Sequence, residues 1–189
     1  MIDTIMFDLD GTLLPMDQIE FVNSYMKHLV GRFAPQGFDG EMIVKGLWAG
    51  VKAMMENDGS MTNEERFWHT FLQFVPDEEH VFRDQSEDFY RNEFDLVQEV
   101  VHDNGITRKL IDDLQQKGYK LILATNPLFP PCAVETRLAW VGLKMEDFSY
   151  VTTYDNCCGC KPKLSYYREI IHTCHVDADH CMMVGNNVQ

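Results

Sequence analysis

The sequence predicts an α/β protein: a parallel sheet with crossover helices, and an all-helical unit inserted between the first strand and the second. Three observations carry this. Short apolar runs that end in polar residues recur at 2–7, 120–124, 150–154 and 181–184, as buried strands do. Helical patterns separate the later ones, which is the alternation that builds parallel sheets. The stretch from about Asp17 to Val101 contains no period-2 segment and reads as helices.

The first strand, with Ile2, Ile5, Met6 and Phe7, runs straight into Asp8-Leu9-Asp10-Gly11-Thr12. Four helical faces follow. Ile19, Val22, Met26 and Leu29 share one; Ile43, Leu47, Val51 and Met54 a second. Phe67, Phe71, Leu72 and Val75 form a third, and Phe82, Phe89 and Leu96 a drifting fourth. Breaks are expected at 31–40, 57–60 and 75–77. The aromatic and methionine positions here, such as Met54, Met55, Phe67, Trp68 and Phe71, are read as helix packing. After the insert comes a helix over 107–117, capped by Thr107, striped by Leu110, Ile111 and Leu114, and stopped by Gly118. A helix over 131–140 takes Pro131 in its first turn. Another covers 164–174 through Tyr167, Ile170, Ile171 and Cys174. The core is therefore 1–16 with 100–189, and the insert 17–99.

A chain of 189 residues, 45% hydrophobic, suits one domain or one domain with an insert. Sixteen basic against 30 acidic side chains give a net charge of -14. Such a surface repels nucleic acid and anionic membranes, so neither is expected as a partner. It also repels phosphorylated substrates at long range, so an anion site needs local positive charge. No apolar run approaches the roughly 20 residues that span a bilayer. The chain enters its first strand with no basic n-region or cleavage site, and a cytoplasmic location is expected.

Six cysteines, Cys132, Cys157, Cys158, Cys160, Cys174 and Cys181, are expected as reduced thiols. Cys157 and Cys160 have zinc-pair spacing, with His172, His175 and His180 downstream. No second clean pair follows, so ordinary thiols are the favoured reading over zinc.

Chemistry concentrates at strand ends, where open α/β sheets place it. Asp8, beside a glycine turn with backbone amides, is placed to attack phosphorus as a carboxylate nucleophile, or to ligate Mg²⁺. Asp10, two residues on, can point to the same side and move protons. An acidic surface turn is the plain alternative. Thr125-Asn126 ends the second strand, and its hydroxyl and amides can hold phosphoryl oxygens, although such residues also simply suit turns. Lys161, in Cys160-Lys161-Pro162-Lys163, can neutralise both nucleophile and phosphoryl group; the alternative is a solvated lysine, and Lys163 is its local rival. Gly185-Asn186-Asn187 follows the last strand, where a neutral Asn oxygen can help hold a hard cation.

Taken in order, these four elements resemble the haloacid dehalogenase superfamily. Asp8-Leu9-Asp10-Gly11-Thr12 is similar to its first motif, D-x-D-G-T, and Thr125 to the second. Lys161-Pro162 is similar to the third, and Gly185-Asn186-Asn187 to the start of the fourth. The resemblance covers about 1–16 and 100–189. It implies a Rossmann-like three-layer α/β core with a parallel sheet, Mg²⁺ at the strand ends, and an inserted all-α cap that closes over the site and selects the substrate. In the family, the second Asp and the Thr of the first motif mark phosphoryl transfer rather than carbon–halogen cleavage. Two departures stand out. Asn186 occupies the place of the usual Asp, and the second acid of the fourth motif would fall beyond Gln189, so further chain is expected there.

The implied activity is Mg²⁺-dependent hydrolysis of a small phosphorylated metabolite through an aspartyl-phosphate. Asp8 attacks, Asp10 is acid and base, Gly11, Thr125 and Asn126 hold phosphoryl oxygens, and Lys161 balances charge. The metal would sit on Asp8, the Asp10 carbonyl and Asn186. A phosphomutase and a catalytically inactive binding scaffold are the alternatives. Arg32, Lys45, Lys52 and Arg66 are candidates to meet an anionic substrate tail.

Overall fold

Among the described residues, four parallel strands form one sheet in the order β3-β2-β1-β4. They are β1 (Thr4–Phe7), β2 (Lys120–Leu123), β3 (Tyr150–Val151) and β4 (Cys181–Val184). The computed structural model describes residues 1–75, 79–102 and 105–186, with backbone alone at 79 and 80. Every strand falls within a run expected to be one. The third is shorter than 150–154, because the chain leaves the sheet after Val151.

Strand alternation divides the core. Ile5 and Phe7 of β1, with Leu121 and Leu123 of β2, face one apolar cluster. Met6, Ile122 and Ala124 point the other way, onto Tyr166 and Ile170 of helix α7 (Leu164–Cys174). A period of two on a sheet covered on both faces makes each strand apolar throughout. Helices α5 (Ile106–Gln116) and α6 (Pro131–Ala139) complete the crossovers.

Between β1 and β2 lie α1 (Gln18–Phe33), α2 (Gly40–Met55), α3 (Asn63–Phe71) and α4 (Glu79–Asn92), then a 3₁₀ segment over Phe94–Val100. Their starts are written in local chemistry. Asp17 accepts from the Ile19 and Glu20 amides, Asp39 from those of Glu41 and Met42, and Thr62 with Glu65 makes a capping box. The same apolar cluster that covers one face of the sheet continues into this insert through Phe21, Tyr25, Leu29 and Phe33. No helix among the described residues is long and apolar enough to cross a membrane.

Several expectations need correction. Helix α1 buries Phe21, Tyr25, Leu29 and Phe33, an i, i+4 aromatic ridge, and leaves Ile19 72% exposed. Its helix runs through Gly31, so that break begins later. Leu96 is 54% exposed because the chain tightens to 3₁₀ and turns Phe94 and Val97 inward instead. Thr107 lies inside the first turn of α5, not at its cap. Its hydroxyl donates to the Leu13 carbonyl at 2.9 Å and ties the helix to the β1 loop. The expected break at 75–77 and Asn187 of the fourth motif lie partly or wholly outside the described residues.

Candidate active site

Strands β1, β2 and β4 are in register at their carboxyl ends, with Phe7 opposite Leu123 on one side and Val184 on the other. The residues just beyond therefore emerge side by side. The Asp8 amide donates to the Val184 carbonyl at 2.9 Å, and the Ala124 amide to the Phe7 carbonyl at 2.7 Å. Asp8, Thr125 and Gly185-Asn186 are brought to one edge by this alignment.

Lys161 joins them from the loop before α7. Its Nζ donates to Asp8 Oδ1 at 2.7 Å, and both side chains are mostly buried. Its amide donates to Asn126 Oδ1 at 3.2 Å, which fixes the loop against the end of β2. Lys163 turns away and donates to the Asn57 carbonyl at 2.8 Å. The rivalry between the two lysines is decided by which one reaches Asp8.

Thr125 is buried, and its Oγ1 has no hydrogen-bond partner. Its carbonyl accepts from both the Thr152 and Tyr166 hydroxyls at 2.7 Å. Burial holds the Tyr166 phenol well above its ordinary pKa, with the nearby Asp8 charge adding to the effect, so it stays a donor. An unpartnered buried hydroxyl at the end of the strand next to β1 is a free donor of the kind an anionic oxygen accepts from.

Asp10 has a partner the sequence reading missed. Arg137 Nη1 on α6 donates to both its oxygens, at 2.8 and 2.7 Å. The Arg137 side chain is fully buried, stacked over Phe129 at 4.3 Å, and its Nη2 has no partner. A signal was available. Arg137 follows Ala133 by four residues and Val134 by three, so it sits on the buried stripe of its helix. A charge on such a stripe implies an internal counter-ion.

Three further expectations shift. The Gly11 amide closes its own turn on the Leu14 carbonyl at 2.9 Å and is not left for a phosphoryl oxygen. What Gly11 supplies is room: its φ is +75°, and a Cβ there would meet Asn186 Nδ2 at 2.2 Å. Asn126 holds the Lys161 amide with one end and Met55 Sδ with the other, at 3.4 Å, so it braces the loops. Arg32, Lys45, Lys52 and Arg66 pair with acids of the insert itself, among them Asp88, Glu41, Glu56 and Asp58. None lines the cavity beside the strand ends. Cys157 and Cys160 are buried, Cys160 beside Asn63 and Cys157 beside Asn156. Desolvation raises both thiols, Cys160 to about 12, so they pack as protonated groups.

A family model described as haloacid dehalogenase-like hydrolase matches residues 2–189. The chain belongs to that family. It is a hydrolase of the haloacid dehalogenase type, and its parallel sheet with helices on both sides is that family's Rossmann-like α/β fold. Among solved structures, it is similar to 2-haloacid dehalogenase from Pseudomonas syringae pv. tomato (19% identity, 99% of this chain, 79% of that one, TM-score 0.61). It is also similar to β-phosphoglucomutase from Clostridium difficile (19% identity, 98% and 77% covered, TM-score 0.56). A predicted phosphoglycolate phosphatase from Haemophilus somnus matches at 16% identity, with 98% and 77% covered and a TM-score of 0.56. At these identities the likeness concerns the fold. A search of curated proteins finds no match.

Proposed function

We propose that this hydrolase cleaves small phosphomonoesters through an aspartyl-phosphate on Asp8. The observation that carries this is the Lys161–Asp8 contact of 2.7 Å beside the unpartnered Thr125 hydroxyl. Lys161 engages Oδ1, which leaves Oδ2 to attack phosphorus. The bond to the leaving oxygen breaks as the new P–O bond forms, and Asp10 delivers a proton to that oxygen. Water then attacks the acyl-phosphate, Asp10 takes its proton, and inorganic phosphate leaves with Asp8 restored. Thr125 and Lys161 hold the phosphoryl oxygens as charge develops on them. Asp10 reaches the leaving oxygen only by swinging away from Arg137. The helical insert, 17–99, serves as the cap.

Mg²⁺ fits the donors available. The Asp8 carboxylate, the Asp10 carbonyl and the Asn186 side-chain oxygen are hard ligands, and the missing Cβ at Gly11 gives Asn186 its place beside the β1 turn. Among the described residues no three carboxylate, thiol or imidazole side chains converge. The site would thus carry one formal negative charge from the chain, with substrate oxygens completing it. When bound, the ion would offset phosphoryl charge.

The test is release of inorganic phosphate from a generic aryl phosphate, with and without Mg²⁺, by the native protein and Asp8→Asn. Release that requires Asp8 is expected. Equal release by the variant would remove Asp8 as nucleophile.

A further inference from the structure

Beside the strand ends lies a cavity of about 260 Å³ between α1, α2, α3 and α4 of the insert and core residues that include 128–130 and Tyr154. Asp10 and Asn126 line the end nearest the chemistry; Phe21, Leu29, Trp48, Val51, Phe67 and Phe129 are typical of the rest. We infer that this cavity receives the non-reacting body of the substrate, and that the body is uncharged and largely apolar, one or two rings in size. The inference rests on the phosphomonoesterase reading above and deepens it to a substrate class, arylalkyl or comparably apolar phosphomonoesters.

Charge is the first argument. Asp10 is the one charged residue lining the cavity among the described residues, and Arg137 already engages it. Arg32, Lys45, Lys52 and Arg66 pair with acids of the insert and do not line the cavity. Arg137, over the Phe129 ring with only its Nη2 unpartnered, is outside the lining and already held by Asp10. A second phosphate or a carboxylate on the substrate would therefore be buried without a cation of its own, which is costly. The wall phenols are neutral too. Burial pushes Tyr25 up to about 12 and Tyr90 well above its ordinary value.

Polarity is the second. The wall's hydroxyls are already partnered: Tyr25 and Tyr90 bond each other at 2.6 Å, Ser86 donates to the Phe82 carbonyl, and Tyr154 turns to Glu64. A sugar's hydroxyls would lose water here and find few partners. Trp68 Nε1, also buried, lies toward the Tyr154 hydroxyl without a well-formed hydrogen bond. Size is the third. An apolar cavity of ~150 Å³ takes a benzene ring, so this one has room for a somewhat larger group. Beyond Trp68 and Tyr154 a second cavity of about 270 Å³ is rimmed by Glu64, Arg83, Glu87, Arg91 and Asp155, which ends the apolar stretch.

The test compares primary esters of similar leaving-group chemistry. Benzyl and 2-naphthylmethyl phosphate should exceed glucose 6-phosphate and glycerol 3-phosphate by about 10- to 100-fold in kcat/KM, the range that burying one apolar group provides. Phosphate-free 2-naphthylmethanol should bind the native protein by calorimetry. Trp48→Glu, at the half-exposed mouth, should weaken that binding about 10-fold with an unchanged circular dichroism spectrum. Sugar esters turned over as well as arylalkyl esters would overturn the inference and leave the phosphatase standing. Binding of 2-naphthylmethanol that Trp48→Glu weakens, with no ester hydrolysed, would uphold the apolar pocket and remove the phosphatase reading. Failure of the native protein to bind 2-naphthylmethanol would overturn the pocket.

Discussion

The cleft at the strand ends and the cavity under the helical insert meet at Asp10 and Asn126, yet they are built from opposite materials. The cleft is short-range and polar: a lysine on a carboxylate, a buried hydroxyl without a partner, a glycine that admits an asparagine. The cavity is broad and apolar, walled by aromatic and aliphatic side chains from helices far apart in sequence. The difference teaches a division of labour. In the proposed reaction, a few polar groups fixed to strand ends would carry the chemistry, while a wide apolar wall on helices would carry selection.

That comparison can be broken at several points. The largest effect is expected for Asp8→Asn, with phosphate release down about 10³-fold or more but 2-naphthylmethanol binding intact. Loss of both would show that cleft and cavity are one unit. Asp10→Ala should behave differently, because it strands the buried Arg137 cation. A loss of about 3–5 kcal/mol in urea unfolding is expected, and Asp10→Leu combined with Arg137→Met should recover most of it. Lys161→Met should lower kcat/KM about 10²-fold and also lower the unfolding midpoint, because it leaves the mostly buried Asp8 carboxylate without its cation.

The smallest effect concerns the cavity wall. Tyr25 titrates near 12 when folded and near 10 when unfolded. Its contribution is fully present below pH 10 and is lost as pH rises toward 12, because the unfolded chain ionises first. Up to about 2–3 kcal/mol is at stake. Tyr25→Phe should flatten the fall in stability between pH 10 and 12, read from urea midpoints. An unchanged slope would mean that the phenol is more hydrated than its burial implies.

Much of the cleft was legible in the chain. Asp8, Thr125 and Lys161 stand where strand runs end or a loop precedes a helix, and those boundaries are set by local pattern. Arg137 was less so, although its place on the stripe of Ala133, Val134 and Leu138 marked it. The fates of Gly11 and Asn126 were not legible at all. Whether an amide or a side chain faces a ligand or its own turn depends on hydrogen bonds that close only when the turn folds, as the Gly11–Leu14 contact does.

By itself the sequence determined the strands, the crossover helices, the helices of the insert among the described residues and the order of the polar residues, since all follow from periodicity, caps and turns acting over a few residues. Tertiary structure alone decided that Arg137 reaches Asp10, that Lys161 and not Lys163 reaches Asp8, and that the insert encloses an apolar hollow. Those outcomes depend on how helices pack at distances along the chain of up to 153 residues, and a helical face that points to a cavity has the same pattern as one that points to a core.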